Sequence, residues 1–406
     1  MKNFRRSGQS GQTKIAVLAL SYFFVFGLSN VSYFLSVYYA RAGAITAREA
    51  GLVVSVFYIV SVFSRPFLAY VLSRLGFRKL FSLATLLFVA GSVAMALFGL
   101  SFWPAFLSRA VLGLASSLYK IGFSTYQALA FGPSERGRAY ALIMVGELMP
   151  LVLAAPLAET LIGMDLPRLY IWTPVLMSIA AGVAASRIPP LPAEVSAAGG
   201  HPAFRNPFRG MGECLRTRAF ALALLSTFFF SMADAGASFM SSMTASYGLM
   251  ASYFLSFNAL VGIAVRLLFS RGLDRFAKGP LAALCAVCTS GAVLMASVDP
   301  SESSLTLLGV LFGVGMGFGF PLHLALAADS APPHRQAQAS AMTWFAIGLN
   351  FSLVPLFMGW FEAMTGPVAT FRAVAAAALA GAALLFALQT LETFRSGKKT
   401  RRTYAP

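Results

Sequence analysis

Five ionisable side chains stand out within the long apolar runs of this chain: Arg109, Lys120, Glu147, Asp234 and His323. A charge placed in hydrocarbon is costly unless it is paired or hydrated, so each of these residues needs an explanation. Buried charges of this kind hold polar solutes, relay protons or form structural ion pairs. The sequence contains no nucleophile–base set, no paired-acid constellation, no cluster of metal ligands and no phosphate-binding loop. We therefore expect no enzymatic activity, no metal, no cofactor and no ATP hydrolysis within the chain.

Lys120 and Glu147 are the first candidate pair. At 1.5 Å per residue, each lies about 5 Å to the cytosolic side of the middle of its predicted helix, and the two helices are consecutive in sequence. A structural salt bridge and a proton-coupling pair both agree with this placement. Arg109 precedes Lys120 by three helical turns on nearly the same face, so Glu147 could switch between the two cations as a site opens.

Asp234 lies about 5 Å to the outer side of the middle of its predicted helix. Ser231 and Ser238 stand one turn away in either direction, which gives a polar face to an otherwise aromatic helix. This pattern favours a carboxylate that faces a cavity, and a structural, hydrogen-bonded aspartate is the alternative.

His323 lies about two turns from the cytosolic end of its predicted helix. Lone histidines are more often satisfied structural residues than proton relays, and the structural reading is favoured here. The alternative is a sensor of cytosolic pH, since histidine titrates near neutrality. Asn30, near the middle of the first predicted helix, is a candidate for a cavity wall because a buried amide needs a partner.

Composition defines the elements that must position these side chains. The chain is 58% hydrophobic and only 11% charged, so its polar surface could not cover a soluble globule of 406 residues. Twelve apolar runs are long enough to cross about 30 Å of hydrocarbon as helices, and none alternates as a barrel strand does. They span residues 15–40, 50–72, 80–101, 103–131, 139–163, 169–186, 219–243, 246–270, 279–298, 303–328, 339–362 and 367–391.

The net charge of +17 is distributed unevenly over the loops. Most Lys and Arg residues lie in one alternating set of loops and tails, whereas Arg41, Arg48 and Arg168 lie in the other. This asymmetry predicts that both termini are cytosolic in a multi-pass protein of a bacterial inner membrane. Nucleic acid is excluded as a partner, because the basic residues are spread over many short loops without a recognition element.

An internal repeat divides the chain. Arg65 lies about two turns before the end of the second apolar run, and Arg266 has the same position about 200 residues later. The sequence therefore predicts an N-terminal bundle of six helices (1–186) and a C-terminal bundle of six (219–393). A cytosolic linker (187–218) and a basic cytosolic tail (394–406) complete the domains.

Four local patterns accompany the repeat. The loop after the second predicted helix contains Ser73, Arg74, Gly76, Arg78 and Lys79, and its counterpart contains Asp274 and Arg275. The fourth predicted helix contains Arg109, Gly113 and Ser117 at four-residue spacing. The loop before the fifth reads Pro-Ser-Glu-Arg-Gly-Arg and includes Arg136. The fifth helix contains Gly146 and the pair Ala155-Pro156.

Together these patterns resemble the major facilitator superfamily over essentially the whole chain. The resemblance implies an all-α membrane protein whose two six-helix bundles are related by a pseudo-twofold axis and rock around a central cavity. It assigns Arg65, Arg74, Arg78, Arg136, Arg266 and Arg275, with Gly113 and Pro156, to gating and motif positions. Ser73 stands where the family has an aspartate, so the interdomain lock would depend on Asp274 alone.

The expected function is secondary transport of a small solute by alternating access. Proton-coupled export of a metabolite or an amphipathic compound is favoured, because Gly146 and Pro156 are the remains of the family's antiporter motif. Proton symport of a charged metabolite, held by Lys120 or Arg109, is the alternative. An intramembrane enzyme and a non-transporting receptor are the alternatives from other classes. We expect protons, membrane lipid and a small solute as partners, and a monomer.

Overall fold

The computed structural model describes residues 2–43, 45–131, 136–191, 211–269, 278–332 and 336–403. Within these ranges the regular elements are helices, and no strand is present. The chain divides into two compact units, Met1–Arg205 and Asn206–Pro406. Asp274 and Arg275 lie outside the described residues, as do the side chains of Ser73 and Arg136.

The described part of the N-terminal unit forms six α-helices. They are α1 (Lys2–Val31), α2 (Leu35–Ala42), α3 (Ala47–Phe98), α4 (Phe102–Ala130), α5 (Arg136–Gly163) and α6 (Pro167–Ser186), with a 3-10 turn at Ser32–Phe34 between the first two. Thr46 and Glu49 form a reciprocal capping box that starts α3. Gly76 has a φ of 71° and breaks α3. Glycine suits this position, because a positive φ strains residues that have a Cβ.

The described residues of the C-terminal unit form eight α-helices. They are α7 (Met211–Arg216), α8 (Arg218–Ala237), α9 (Met240–Ala245), α10 (Ser252–Phe269), α11 (Lys278–Ala296), α12 (Glu302–Ser330), α13 (Gln336–Thr365) and α14 (Pro367–Thr403). The short α7 lies within the predicted linker, near its end. Its Cys214 is fully buried against Phe220 and Ala339 in a small apolar cluster of this unit.

Among the described residues, eleven helical segments are long and apolar enough to cross a membrane. They match eleven of the twelve predicted runs, and α4 corresponds to the remaining run. Serines together with Arg109 and Lys120 lower the mean hydropathy of α4. The fold is therefore that of an all-α, multi-pass membrane protein, and the arrangement of twelve helices in two bundles agrees with it.

Two helices extend beyond the predicted apolar runs. The first begins at Lys2 although its apolar span is Gln12–Ala42, and the last continues to Thr403 although its apolar span is Pro367–Leu391, as predicted. Hydropathy locates only the part of a helix that lies in lipid, whereas Lys and Arg are good helix formers beyond it. The predicted run 219–243 is interrupted after Ala237, and the next helix starts at Ser252 rather than at 246.

The first long helix of each unit, α1 or α8, is interrupted in the same way before a short helix, α2 or α9. Phe34 precedes α2 with φ −101° and ψ 2°, and Phe239 precedes α9 with φ −99° and ψ 10°. A glycine with positive φ follows each short helix, Gly43 at 58° and Gly248 at 68°. Two independent breaks with matching torsion angles and matching spacing to a left-handed glycine indicate that the repeat extends to backbone detail.

The second and fourth predicted helices of the N-terminal unit, α3 and α4, pack through a regular stripe. Three residues of α4, one turn apart, each meet a backbone carbonyl of α3: Arg109 with Val53, Gly113 with Phe57, and Ser117 with Ser61. A Cβ on Gly113 would collide with the Phe57 carbonyl. The helices can therefore approach closely only because position 113 has no side chain.

The C-terminal unit has the same stripe between α10 and α12. Its pairs are Gly309 with Phe254, Gly313 with Asn258, and Gly317 with Gly262 and Val265. A Cβ at Gly309 or Gly313 would lie 2.6 Å from a carbonyl oxygen of α10. Each pair lies about 200 residues after its N-terminal counterpart, so both units use one packing geometry.

Candidate functional site

Arg109 is buried inside the N-terminal unit, with only 1% of its side chain exposed. Its Nη1 donates to Ser32 Oγ at 2.7 Å, and Ser32 in turn donates to the Leu28 carbonyl at 3.0 Å. The guanidinium carbon lies 4.3 Å from the centre of the Phe57 ring. These contacts tie α4 to α3 and to the 3-10 turn that interrupts the first helix.

The Arg109 charge is incompletely satisfied within the part of the chain that the structure describes. Its Nη2 is buried and has no hydrogen-bond partner there, and the same holds for the Tyr39 hydroxyl. The hydroxyls of Tyr39, Tyr58 and Tyr170 are close enough to interact electrostatically with the guanidinium. Tyr170 donates to the Val31 carbonyl at 2.7 Å, so it also fixes the end of α1. Sequence reasoning missed these tyrosines, because only the folded structure brings them to Arg109.

Lys120 and Glu147 lie close enough to interact electrostatically, as their placement on consecutive helices predicts. Lys120 also interacts with Arg65, a second cation. Its Nζ lies 5.0 Å from the centre of the Phe26 ring on α1. Lys120, Glu147 and Arg65 are all partly exposed. Four helical segments thus contribute to one charged cluster, which we call the Lys120 cluster: Phe26, Arg65, Lys120 and Glu147.

Asn30 is buried on α1, 7% exposed, two residues before the 3-10 turn. Its neighbour Ser29 has a buried hydroxyl without a hydrogen-bond partner among the described residues. The expectation that Asn30 faces a cavity stays a prediction.

Asp234 on α8 is partly exposed and makes a contact of its own. The serines on either side of it bond to backbone carbonyls: Ser231 Oγ to Phe228 at 3.0 Å, and Ser238 Oγ to Ala235 at 2.6 Å. The Asp234 carboxylate is therefore not needed to satisfy either hydroxyl.

Asn350 joins α13 to this region. It is almost completely buried, 1% exposed, and its Nδ2 donates to Ser231 Oγ at 2.8 Å and to the Phe228 carbonyl at 2.7 Å. The amide bridges α8 and α13 one turn from Asp234. This contact gives Asn350 a structural role, since the buried amide donor is fully engaged.

His323 on α12 is held on three sides. Its Nδ1 lies 2.7 Å from the Gly319 carbonyl, and its Nε2 lies 3.0 Å from Ser226 Oγ. Because a carbonyl can only accept, Nδ1 carries a proton. The ring stacks on Phe230 with a centroid distance of 4.4 Å. These contacts match the structural role that the sequence favoured.

The described motif residues differ in their surroundings. Gly113 and Gly146 mediate close helix contacts, the latter because a Cβ would collide with the Ala19 backbone on α1. Pro156 lies within α5. Arg74 and Arg78 are exposed, one on each side of the break at Gly76. The two repeated arginines differ: Arg65 meets Lys120, whereas the Arg266 guanidinium lies 5.3 Å from the centre of the Phe320 ring.

Glu362 is a second residue that sequence reasoning missed. On α13, its carboxylate accepts a hydrogen bond of 2.9 Å from Ser242 on α9. In the N-terminal unit, Arg41 on α2 bonds instead to the Ile162 carbonyl at the end of α5. Within the described ranges, no group of three or more His, Cys, Asp and Glu residues could hold a metal ion.

Comparisons with known proteins agree with this architecture. A family model described as Major Facilitator Superfamily matches residues 17–355. No curated protein sequence matches the chain.

Several solved structures have a similar fold. The crystal structure of the nucleoside transporter NupG is similar with a TM-score of 0.70 at 14% identity, over 92% of this chain and 98% of that one. The peptide transporter POT in complex with sulfate gives 0.68 at 18% identity, over 92% and 94%. The human organic anion transporter MFSD10 gives 0.64 at 16% identity, over 92% and 99%.

Proposed function

Because the chain belongs to the Major Facilitator Superfamily, we propose that it is a secondary active transporter of a small solute. Transport would proceed by alternating access, in which a bound solute becomes accessible first from one side of the membrane and then from the other. The similar structures include nucleoside, peptide and organic anion transporters, which supports transport of a small polar or amphipathic cargo. It does not distinguish among these classes, since one architecture hosts many cargoes.

Coupling to protons is the second part of the proposal. The observation that supports it is the Lys120 cluster, in which a carboxylate and two cations interact on neighbouring helices. Protonation of Glu147 would change the charge that the cluster presents to a solute, and this change would couple proton binding to solute binding. Asp234 in the C-terminal unit is the other candidate proton carrier.

Export by proton antiport is the favoured direction. Gly146 brings α5 against the backbone of α1 at Ala19, and this contact fits the retained part of the antiporter motif. Proton symport of a charged metabolite is the second candidate, and the excess of cations in the Lys120 cluster favours it.

Vesicle transport separates the two directions. Purified protein would be reconstituted into liposomes and given a panel of labelled metabolites and drug-like compounds under a proton gradient of either sign. Antiport predicts uptake only when the vesicle interior is acidic, and symport predicts uptake only when the exterior is acidic. Flux that ignores the gradient would contradict proton coupling.

Two substitutions test the carriers. Glu147→Gln and Asp234→Asn remove a titratable group with little change of shape, and at least one should abolish coupled flux. The exposed residues Glu302 and Asp165 supply matched controls, because Glu302→Gln and Asp165→Asn make the same chemical change outside the proposed site. A receptor that has lost transport would show no flux in any variant and an unchanged cellular phenotype.

Topology and assembly complete the proposal. We place both termini in the cytosol of a bacterial cell, with the protein in the inner membrane as a monomer. A fluorescent protein that folds only in the cytosol, fused after Pro406, should fluoresce, whereas a periplasmic reporter at the same place should be inactive. The mass of the detergent-solubilised protein measures its oligomeric state.

A further inference from the structure

The Lys120 cluster has a counterpart in the C-terminal unit that differs in one respect. Arg65 and Arg266 occupy equivalent positions of α3 and α10, and Lys120 and Phe320 occupy equivalent positions of α4 and α12. These equivalences follow from the two packing stripes, in which each residue of α12 meets the same carbonyl position as its partner in α4. The C-terminal unit thus pairs its arginine with an aromatic ring, and the N-terminal unit pairs its arginine with a second cation.

The two arginines differ in the group beside them. The Arg266 guanidinium lies 5.3 Å from the centre of the Phe320 ring, a distance at which a cation is attracted to the face of the ring. Arg65 has Lys120 at the equivalent position instead of a ring. Its Nε is buried without a hydrogen-bond partner among the described residues, and this holds for the Nε atom of Arg266 as well. The second cation, rather than the Nε atom, therefore distinguishes the two sites.

Charge balance indicates what completes the N-terminal cluster. Arg65 and Lys120 repel each other in a medium of low dielectric constant, and Glu147 offsets only one of the two charges. Among these three side chains, one positive charge is therefore not compensated. A single anionic group between Arg65 and Lys120 would neutralise it and would accept from the unpaired Nε.

The surroundings indicate the rest of the ligand. Phe26 is partly exposed beside Lys120 Nζ and stacks with Tyr22 at a centroid distance of 5.4 Å. An aromatic surface next to a cation pair fits a ligand with an apolar body and one charged end. An inorganic anion would make no use of this aromatic surface.

We propose that Arg65 and Lys120 form a binding site for the carboxylate of an amphipathic organic acid, with Phe26 against its apolar body. This inference rests on the second candidate of the proposed function, proton symport of a charged metabolite, because it names the substrate class of that transporter. Glu147 competes with the ligand carboxylate for the two cations, so proton binding to Glu147 and ligand binding favour each other.

Binding of benzoate to the purified protein in neutral detergent tests the site. Benzamide has the same shape without the charge and is the matched control ligand. We expect benzoate to raise the melting temperature and to bind about tenfold or more tightly than benzamide, the ratio for about 1.4 kcal/mol. Equal binding of the two would overturn the proposal, and so would the absence of benzoate binding.

Three variants locate the site. Lys120→Phe copies the arrangement of the C-terminal unit and should lower benzoate affinity about tenfold, whereas Lys120→Arg should keep it. Glu147→Gln removes the competing carboxylate and should raise the affinity. If Lys120→Phe fails to fold, the other two variants still decide: a loss with arginine or with glutamine would contradict the assignment.

Two further arms identify the source of the anion and separate the inference from the function. Repeating the titration in nanodiscs with and without phosphatidylglycerol tests a lipid headgroup. A site that phosphatidylglycerol occupies and benzoate cannot enter would overturn the solute assignment. Proton-coupled flux of another solute without benzoate binding would refute this inference alone. Benzoate binding without any flux would refute the transporter instead.

Discussion

The two units differ most where their packing is most alike. In both units, residues one turn apart on a long helix contact successive backbone carbonyls of the neighbouring helix. The central residue of each stripe is a glycine, Gly113 in one unit and Gly313 in the other. At the flanking positions the N-terminal unit has Arg109 and Ser117, whereas the C-terminal unit has Gly309 and Gly317. The same scaffold thus carries polar chemistry in one unit and close backbone contact in the other.

The buried polar groups differ less sharply. In the N-terminal unit, Arg65 and Arg109 each bury a nitrogen without a hydrogen-bond partner among the described residues. In the C-terminal unit, both ring nitrogens of His323 and the amide of Asn350 are hydrogen-bonded. The same unit nevertheless buries the hydroxyls of Ser290 and Thr390 and the Nε atom of Arg266 without such partners among the described residues. Unsatisfied atoms thus occur in both units, and the second cation beside Arg65 is what distinguishes the N-terminal one.

The largest expected effect comes from closing the space at the shared glycines. Gly113→Val and Gly313→Val put side-chain atoms against a carbonyl of the neighbouring helix, so each should destabilise its unit by about 3 kcal/mol or more. Size-exclusion chromatography of detergent-solubilised protein would show aggregation. Gly291, with nothing within 4 Å of its would-be Cβ, is the control: Gly291→Ala should be neutral or stabilising. If only one unit tolerates the valine, the two stripes are not equivalent.

A second effect, of about 1–3 kcal/mol, is expected when the N-terminal charges are rebuilt in the C-terminal unit. Phe320→Lys removes the ring from Arg266 and adds a like charge, so it should lower the melting temperature. Ile347 is the position equivalent to Glu147 at the 200-residue spacing that relates the two stripes. Ile347→Glu alone buries a carboxylate and should also destabilise.

The double variant is the sharper test. With Phe320→Lys and Ile347→Glu together, the carboxylate offsets the added cation, and the loss should be smaller than the sum of the two single losses. Melting temperatures of all four proteins give the coupling. Additive losses would mean that positions 320 and 347 do not face each other, and the equivalence with Lys120 and Glu147 would fail.

Sequence alone predicted the class of fold, the number of membrane runs and the repeat of Arg65 at Arg266. Those features depend on hydropathy and spacing, which are local. It also predicted that Lys120 and Glu147 lie together, because consecutive helices are usually neighbours. It did not predict Arg65 as a member of that cluster, or the tyrosines around Arg109. Such contacts depend on helix rotation, which a uniformly apolar helix does not encode in its pattern.

A smaller effect is expected at His323. His323→Phe keeps the stack on Phe230 but removes the bonds to Gly319 and Ser226, which should cost about 1–2 kcal/mol. Since both ring nitrogens are engaged, we expect that the histidine does not relay protons. The pH profile of transport in His323→Gln should therefore match that of the parent protein. A shifted profile would restore the pH-sensor reading of this residue.

The smallest expected effect lies at Ser117, where the two stripes differ by one hydroxyl. Ser117→Ala removes the 2.9 Å bond to the Ser61 carbonyl, and the expected loss is about 0.5–1 kcal/mol, because that carbonyl also accepts within its own helix. Ser117→Gly reproduces Gly317 and should cost up to about 1 kcal/mol more, since glycine lowers helix propensity. Neither variant should change benzoate binding. An altered affinity would mean that the stripe and the Lys120 cluster are coupled, and that the N-terminal unit changes shape when its anion site is filled.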